Sequence, residues 1–130
     1  MVVPLDDSGA TRDAATMGAM SRRKGASWER DVATTMRARG AVNAKRGLGQ
    51  ARCARECADV EGTPWWIECK RGARLNVVAA LAQARDASDG RVPIVIAKLD
   101  RADPIVTLSL ADFLDIVFPP EHDAARDVDP

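Results

Sequence analysis

Asp59 and the triplet Glu68-Cys69-Lys70 flank a short turn at Gly62-Thr63, and their types and spacing are those of a chemical site. The stretches Glu56 to Glu61 and Pro64 to Lys70 read as two strands joined at that turn. If Glu61 faces Pro64, then Asp59 faces Trp66 and Glu68 sits on the diagonal, about 7–8 Å away. Side chains alternate along a strand, so Trp66, Glu68 and Lys70 share the face of Asp59, while Trp65, Ile67 and Cys69 turn to the core. Two carboxylates at that separation can both reach one hard cation, at roughly 2.0–2.1 Å per bond. Clustered carboxylates repel unless protonated or given a cation. Oxygen donors suit Mg²⁺ or Mn²⁺. Such an ion can polarise a phosphodiester and lower the pKa of a bound water, and a neighbouring lysine can orient that water or hold developing charge. The plainer reading is a polar strand face on which Glu68 and Lys70 form an exposed pair.

The elements that must position these residues follow from periodicity and caps. Ser27 can cap a helix running to about Arg39, stopped by Gly40, with Trp28, Val32, Ala33 and Met36 on one face. Ala41 to Arg46 alternates weakly as a first strand, and Gly47 to Gln50 forms a loop between basic residues. After the hairpin, Asn76 can cap a helix through Val77, Leu81 and Ala84 to about Ser88, ahead of Gly90. Val92 to Lys98 is a buried-type strand and Pro104 to Leu108 another. Ser109 caps a last helix carrying Phe113, Leu114, Val117 and Phe118. The order is α β β β α β β α, an α/β fold with a mixed sheet of about five strands and helices on its faces. Residues 1–20 read as a flexible arm, 21–118 as the single folded domain, and 119–130 as an acidic, solvated tail.

Composition narrows the function. Leu, Ile, Val and Phe make up 27 of 130 residues, near the lower limit for a globular chain, and 23 alanines imply a small core of short side chains. The apolar runs are too short for a membrane span, and Asp6-Asp7 behind Val2 to Leu5 argues against a signal peptide. Three cysteines is too few for a disulfide scaffold and points to a reduced, cytoplasmic setting. The net charge of zero conceals an asymmetry: residues 22–74 hold 13 Lys+Arg against 6 Asp+Glu, a net of +7. A basic half in a small chain suits a polyanionic partner such as nucleic acid, or is an unevenly charged surface and nothing more.

Asp59 followed by Glu68-Cys69-Lys70 resembles the signature of the PD-(D/E)xK nucleases. Lys24-Gly25-Ala26-Ser27-Trp28-Glu29-Arg30 is similar to the segment opening the first helix of archaeal-type Holliday-junction resolvases, and Leu81-Ala82-Gln83-Ala84-Arg85-Asp86 to the glutamine-bearing helix after the Glu-x-Lys strand. The likeness covers roughly Ser21 to Val117, and Ala58 stands where the signature has proline. The resemblance implies a restriction-endonuclease-like core and Mg²⁺, replaceable by Mn²⁺, held by Glu29, Asp59, Glu68 and the Cys69 backbone carbonyl. It further implies that Lys70 assists the attacking water, that Gln83 positions a phosphate or water, and that the products carry 5′-phosphate and 3′-hydroxyl ends. Paired cleavage of a four-way DNA junction requires two sites, which implies a homodimer. Ile105, Leu108, Phe113 and Phe118 form its candidate interface. The setting implied is the cytoplasm, on the nucleoid or in a phage host. A flap, single-strand or restriction-like nuclease has the same marks. A DNA-binding module that lost activity is a third reading, against which the intact acidic set argues.

Plainer alternatives accompany individual residues. Glu29 also reads as a first-turn acid favoured by the helix dipole, and Gln83 as a surface residue. Arg22, Arg23, Lys24, Lys45, Arg46, Arg52, Arg55, Arg71 and Arg74 are candidate phosphate contacts as a group, and ordinary solvated bases one by one. Gly47 and Gly49 either admit a DNA backbone or make a loop. Cys53 and Cys57 lack the partners for a zinc site. Trp66 either stacks on a base or packs under the first helix, and Trp28 and Trp65 belong to the core.

Overall fold

The structure is a computed structural model and describes residues 7–47 and 57–121. Helix α1 spans Asp7–Ala38, strand β1 Lys45–Arg46, β2 Val60–Glu61 and β3 Trp66–Gly72. They are followed by α2 at Val77–Ala87, β4 at Pro93–Leu99, β5 at Ile105–Thr107 and α3 at Leu110–Val117. The α β β β α β β α order holds. The five strands form one mixed sheet in chain order, with β3 and β4 parallel and the other neighbours antiparallel. Helix α2 makes the crossover that a parallel pair requires.

The alternation of β3 and β4 sorts the core into two layers. Ile67, Ile94 and Ile96 pack with Trp28, Val32 and Ala33 of α1. Val95 and Ala97 pack with Ala80 of α2, and Trp66 with Ala84 of the same helix. Alanines on α2 let that helix lie close to the sheet. The Trp28 indole N–H donates to the Ile96 carbonyl at 3.2 Å and pins α1 to β4. Asn76 and Ser109 cap α2 and α3 as expected, accepting from the Ala79 and Asp112 N–H groups.

Three expectations change. Helix α1 begins at Asp7, not Ser27, so most of the anticipated arm is helical. Alanines, methionines and arginines fill the added turns without a proline, and Ser27 lies in mid-helix. The first strand shrinks to Lys45–Arg46 because residues 41–44 turn tightly, the Ala44 N–H donating to the Ala41 carbonyl. The hairpin register also differs. Val60 pairs with Ile67, so Glu61 does not face Pro64. The Asp59 N–H donates to the Ile67 carbonyl at 2.9 Å, so two consecutive residues address one partner, as in a β-bulge.

Candidate active site

The bulge aims Asp59. The Trp66 N–H donates to Val92, so the N–H groups of Glu68 and Lys70 also point toward β4 and that of Cys69 points toward the β2 edge. Among the described residues, β3 pairs with β2 at Ile67. The Asp59 carboxylate takes the place of a ladder partner for Cys69, its Oδ2 accepting from the Cys69 N–H at 2.8 Å. The Cys69 carbonyl projects to the same edge, beside Asp59.

Glu29, Asp59, Glu68 and Gln83 line one cleft of about 210 Å³, with Arg46, Gly47, Ala58 and Trp66 among its walls. A water's share of the liquid is about 30 Å³, so this space takes an ion with its hydration shell. Four elements converge: α1 brings Glu29, the residue before β2 brings Asp59, β3 brings Glu68 and α2 brings Gln83. The Asp59 carboxyl is pushed up to about 7, first by burial and then by the Glu68 and Glu29 charges, against the Cys69 hydrogen bond and Lys70. A carboxylate so placed gains by taking a cation. Among the described residues no group of three or more acidic, histidine or cysteine side chains closes on a single point. Mg²⁺ characteristically keeps several waters and uses one or two carboxylates, a number that Asp59 and Glu68 could supply.

Two of the acids already have basic partners. Glu29 Oε2 lies 2.7 Å from Arg46 Nε, and Glu68 Oε1 lies 3.6 Å from Lys70 Nζ. Lys70 lines an adjoining cleft with Arg74, Asn76 and Gln83, so Gln83 belongs to both. Arg22, Arg23, Lys24, Lys45 and Arg71 are exposed and line neither cleft. Arg52, Arg55, Gly49 and Cys53 lie outside the described residues, as do 1–6 of the expected arm and 122–130 of the expected tail.

Trp66 does not stack outward, nor does it lie under α1. It is 2% exposed, packs against Ala58, Ala84 and Ala87, and carries the Arg91 guanidinium over its ring. Cys69 is a free, partly buried thiol, and burial pushes its pKa up, which makes it unreactive. Cys57 lines the cleft and is disulfide-bonded, contrary to the expectation of reduced cysteines. Sequence reasoning took Arg46 only as a phosphate contact and passed over Arg91, which sits in a turn with no periodic signal. No family model matches the chain, and neither a curated protein nor a solved structure is significantly similar to it. Among the described residues no helix is long and apolar enough to cross a membrane.

Proposed function

We propose that this chain is a metal-dependent DNA endonuclease of the PD-(D/E)xK type, with a restriction-endonuclease-like core, acting on four-way junctions as a homodimer. The observation that carries the reading is the cleft in which Glu29, Asp59, Glu68 and Gln83 meet, with Lys70 against Glu68. Asp59, Glu68 and the Cys69 carbonyl would hold Mg²⁺ or Mn²⁺, with Glu29 completing the set. The bound ion would supply polarisation of the phosphodiester and a lowered pKa for the attacking water. Lys70, on the wall of the adjoining cleft and 3.6 Å from Glu68, would orient that water, and Gln83, which lines both clefts, would position the phosphate that spans them. Arg46 and Arg74, one at each cleft, would hold flanking phosphates. The exposed apolar face of β5 and α3 supports the homodimer, which would present two such sites to two strands of a junction.

The test incubates the protein with a labelled immobile four-way junction, a flap and a linear duplex, with Mg²⁺ or EDTA. Glu68→Ala and Lys70→Ala run alongside. Paired Mg²⁺-dependent nicks in the junction, lost in both variants, are the expected result. Preferential cutting of flap or duplex moves the protein to another nuclease of the same chemistry. Tight junction binding with no cleavage in Mg²⁺ or Mn²⁺ leaves a DNA-binding protein and overturns the catalytic reading.

A further inference from the structure

Among the described residues, Arg91 is the most connected charged side chain outside the cleft. Its Nη1 donates to Glu61 Oε2 at 2.9 Å and its Nη2 reaches Glu61 Oε1 at 3.4 Å, a two-pronged grip. Its Nε donates to Asp89 at 2.8 Å, which fixes the guanidinium from the other side. Nη1 also reaches the Trp65 carbonyl at 3.4 Å. The guanidinium carbon stands 5.2 Å from the centroid of the Trp66 ring, within cation–π range.

Two of these contacts, to Glu61 and to Trp66, lead to the carboxylates of the cleft. Glu61 Oε1 accepts from the Ala58 N–H at 3.1 Å, so the Glu61 carboxylate bridges Arg91 to the residue immediately before Asp59. That segment has little ladder pairing of its own, since β2 is two residues long. Trp66 lies two residues before Glu68 on the same face of β3. Its buried indole N–H finds no partner among the described residues, so packing and the Arg91 charge hold the ring. One side chain in the turn between α2 and β4 thereby sets the approach of both strands to the cleft.

We propose that Arg91 is a positioning residue for the acidic pair, setting Asp59 through Glu61 and Ala58, and Glu68 through Trp66. The inference rests on the reading of Asp59 and Glu68 as metal ligands. Groups that orient metal ligands typically account for 10–100-fold in metal affinity or activity.

Mn²⁺ is titrated calorimetrically into the full chain, wild type and Arg91→Lys, Arg91→Ala, Glu61→Gln, Asp59→Ala and Val32→Ala, with a thermal melt of each. Val32 is buried against α1's side of the sheet and serves as a core-destabilised comparator. We expect Mn²⁺ affinity to fall about 10-fold or more in Arg91→Ala and Glu61→Gln. Arg91→Lys keeps the charge but not the planar fork, so it should be impaired too. Val32→Ala should melt lower with its affinity within twofold of wild type. If Arg91→Ala does not fold, Arg91→Lys and Glu61→Gln decide. Wild-type affinity in those two overturns the positioning role, as does a loss in Val32→Ala that matches theirs. Wild-type protein that binds Mn²⁺ no better than Asp59→Ala overturns the metal-site reading itself, and the inference with it.

Discussion

Arg46 Nε lies 2.7 Å from Glu29 Oε2, joining β1 to α1 across the mouth of the cleft. In the metal-free protein the guanidinium is the counter-charge of Glu29. It occupies a carboxylate oxygen that a cation would use and, in the proposed function, would itself hold a phosphate. Arg46→Gln should therefore bind Mn²⁺ a few-fold tighter and DNA more weakly. Loss of one phosphate contact lowers the slope of log affinity against log salt by about 1. Junction binding over a salt series, with EDTA present, measures that slope. An unchanged slope means that Arg46 does not touch a phosphate.

Asp59 makes the metal-free protein sensitive to pH. Its folded-state pKa, raised from 3.8 to about 7 chiefly by burial, means that the folded chain keeps a proton the unfolded chain gives up. The unfolded state binds fewer protons in that window, so this group's contribution to stability falls as pH rises from about 4 to 7. At one pH unit per ~1.4 kcal/mol the full penalty is up to about 4 kcal/mol above pH 7. Asp59→Asn keeps an acceptor for the Cys69 N–H and has no charge to bury. It should melt several degrees above wild type at pH 8 in EDTA, and close to wild type at pH 4. Mg²⁺ should raise the wild-type melting temperature at pH 8 and leave the variant unmoved. Parallel pH profiles for the two proteins would falsify the assignment of this burden to Asp59.

Capped and periodic elements were legible from the residues alone. Asn76, Ser88 and Ser109 mark the ends of α2 and α3, and the alternation of Trp65 to Lys70 separates core from site. Gln83 falls beside the acids because α2 must cover the face of β3 that carries Glu68. Ser27 misled because a good capping residue also sits comfortably inside a helix when the preceding turns are rich in helix formers. The hairpin register was out of reach because a bulge at Asp59–Val60 is set by backbone pairing, not by side-chain pattern. The pairing of Glu29 with Arg46, and of Arg91 with Glu61 and Trp66, joins segments 17 to 30 residues apart and leaves no local signal.

Three glycines differ in what a side chain would meet, and one of them, Gly47, lines the cleft. Gly62 has φ +84° and a Cβ there would run into the Asn43 carbonyl, whereas Gly40 at φ +113° opens onto free space. Both substitutions to alanine strain the backbone, at more than about 1 kcal/mol each. Gly62→Ala should be the more damaging, since it also drives apart the turn and the segment leading into β1. Gly47→Ala meets the Ala58 carbonyl, where the Gly47 N–H donates to the Asp59 carbonyl at 2.8 Å. It should weaken Mn²⁺ binding as well as stability, because Ala58 and Asp59 must give way. Urea unfolding of the three variants, with Mn²⁺ titration of Gly47→Ala, checks the order. Equal losses in Gly40→Ala and Gly62→Ala would show that strain alone sets the cost.

The face opposite the basic edge predicts self-association. Strand β5 ends the sheet, paired on one side by β4, and its Ile105 and Val106 are 46% and 59% exposed. None of α3's residues is buried, and Leu110, Phe113, Leu114, Ile116 and Val117 are each at least 41% exposed. A wholly apolar hollow lined by Trp65, Ile94, Ile96, Val106, Leu108 and Phe113 lies beneath that helix. An unpaired apolar edge is a template for a second strand, and natural sheets cover or charge it. Here neither device is present among the described residues of β5, which suits a second copy seated edge to edge. Sedimentation should give about 28 kDa for wild type, twice the 14.0 kDa chain. Phe113→Glu with Val106→Lys should give the 14.0 kDa monomer, with Mn²⁺ affinity retained because neither residue lines the acidic cleft. The monomer should still nick single strands while losing paired cuts in a junction. A wild-type monomer at tens of micromolar would remove the dimer from the proposed function and leave the cleft's chemistry as it stands.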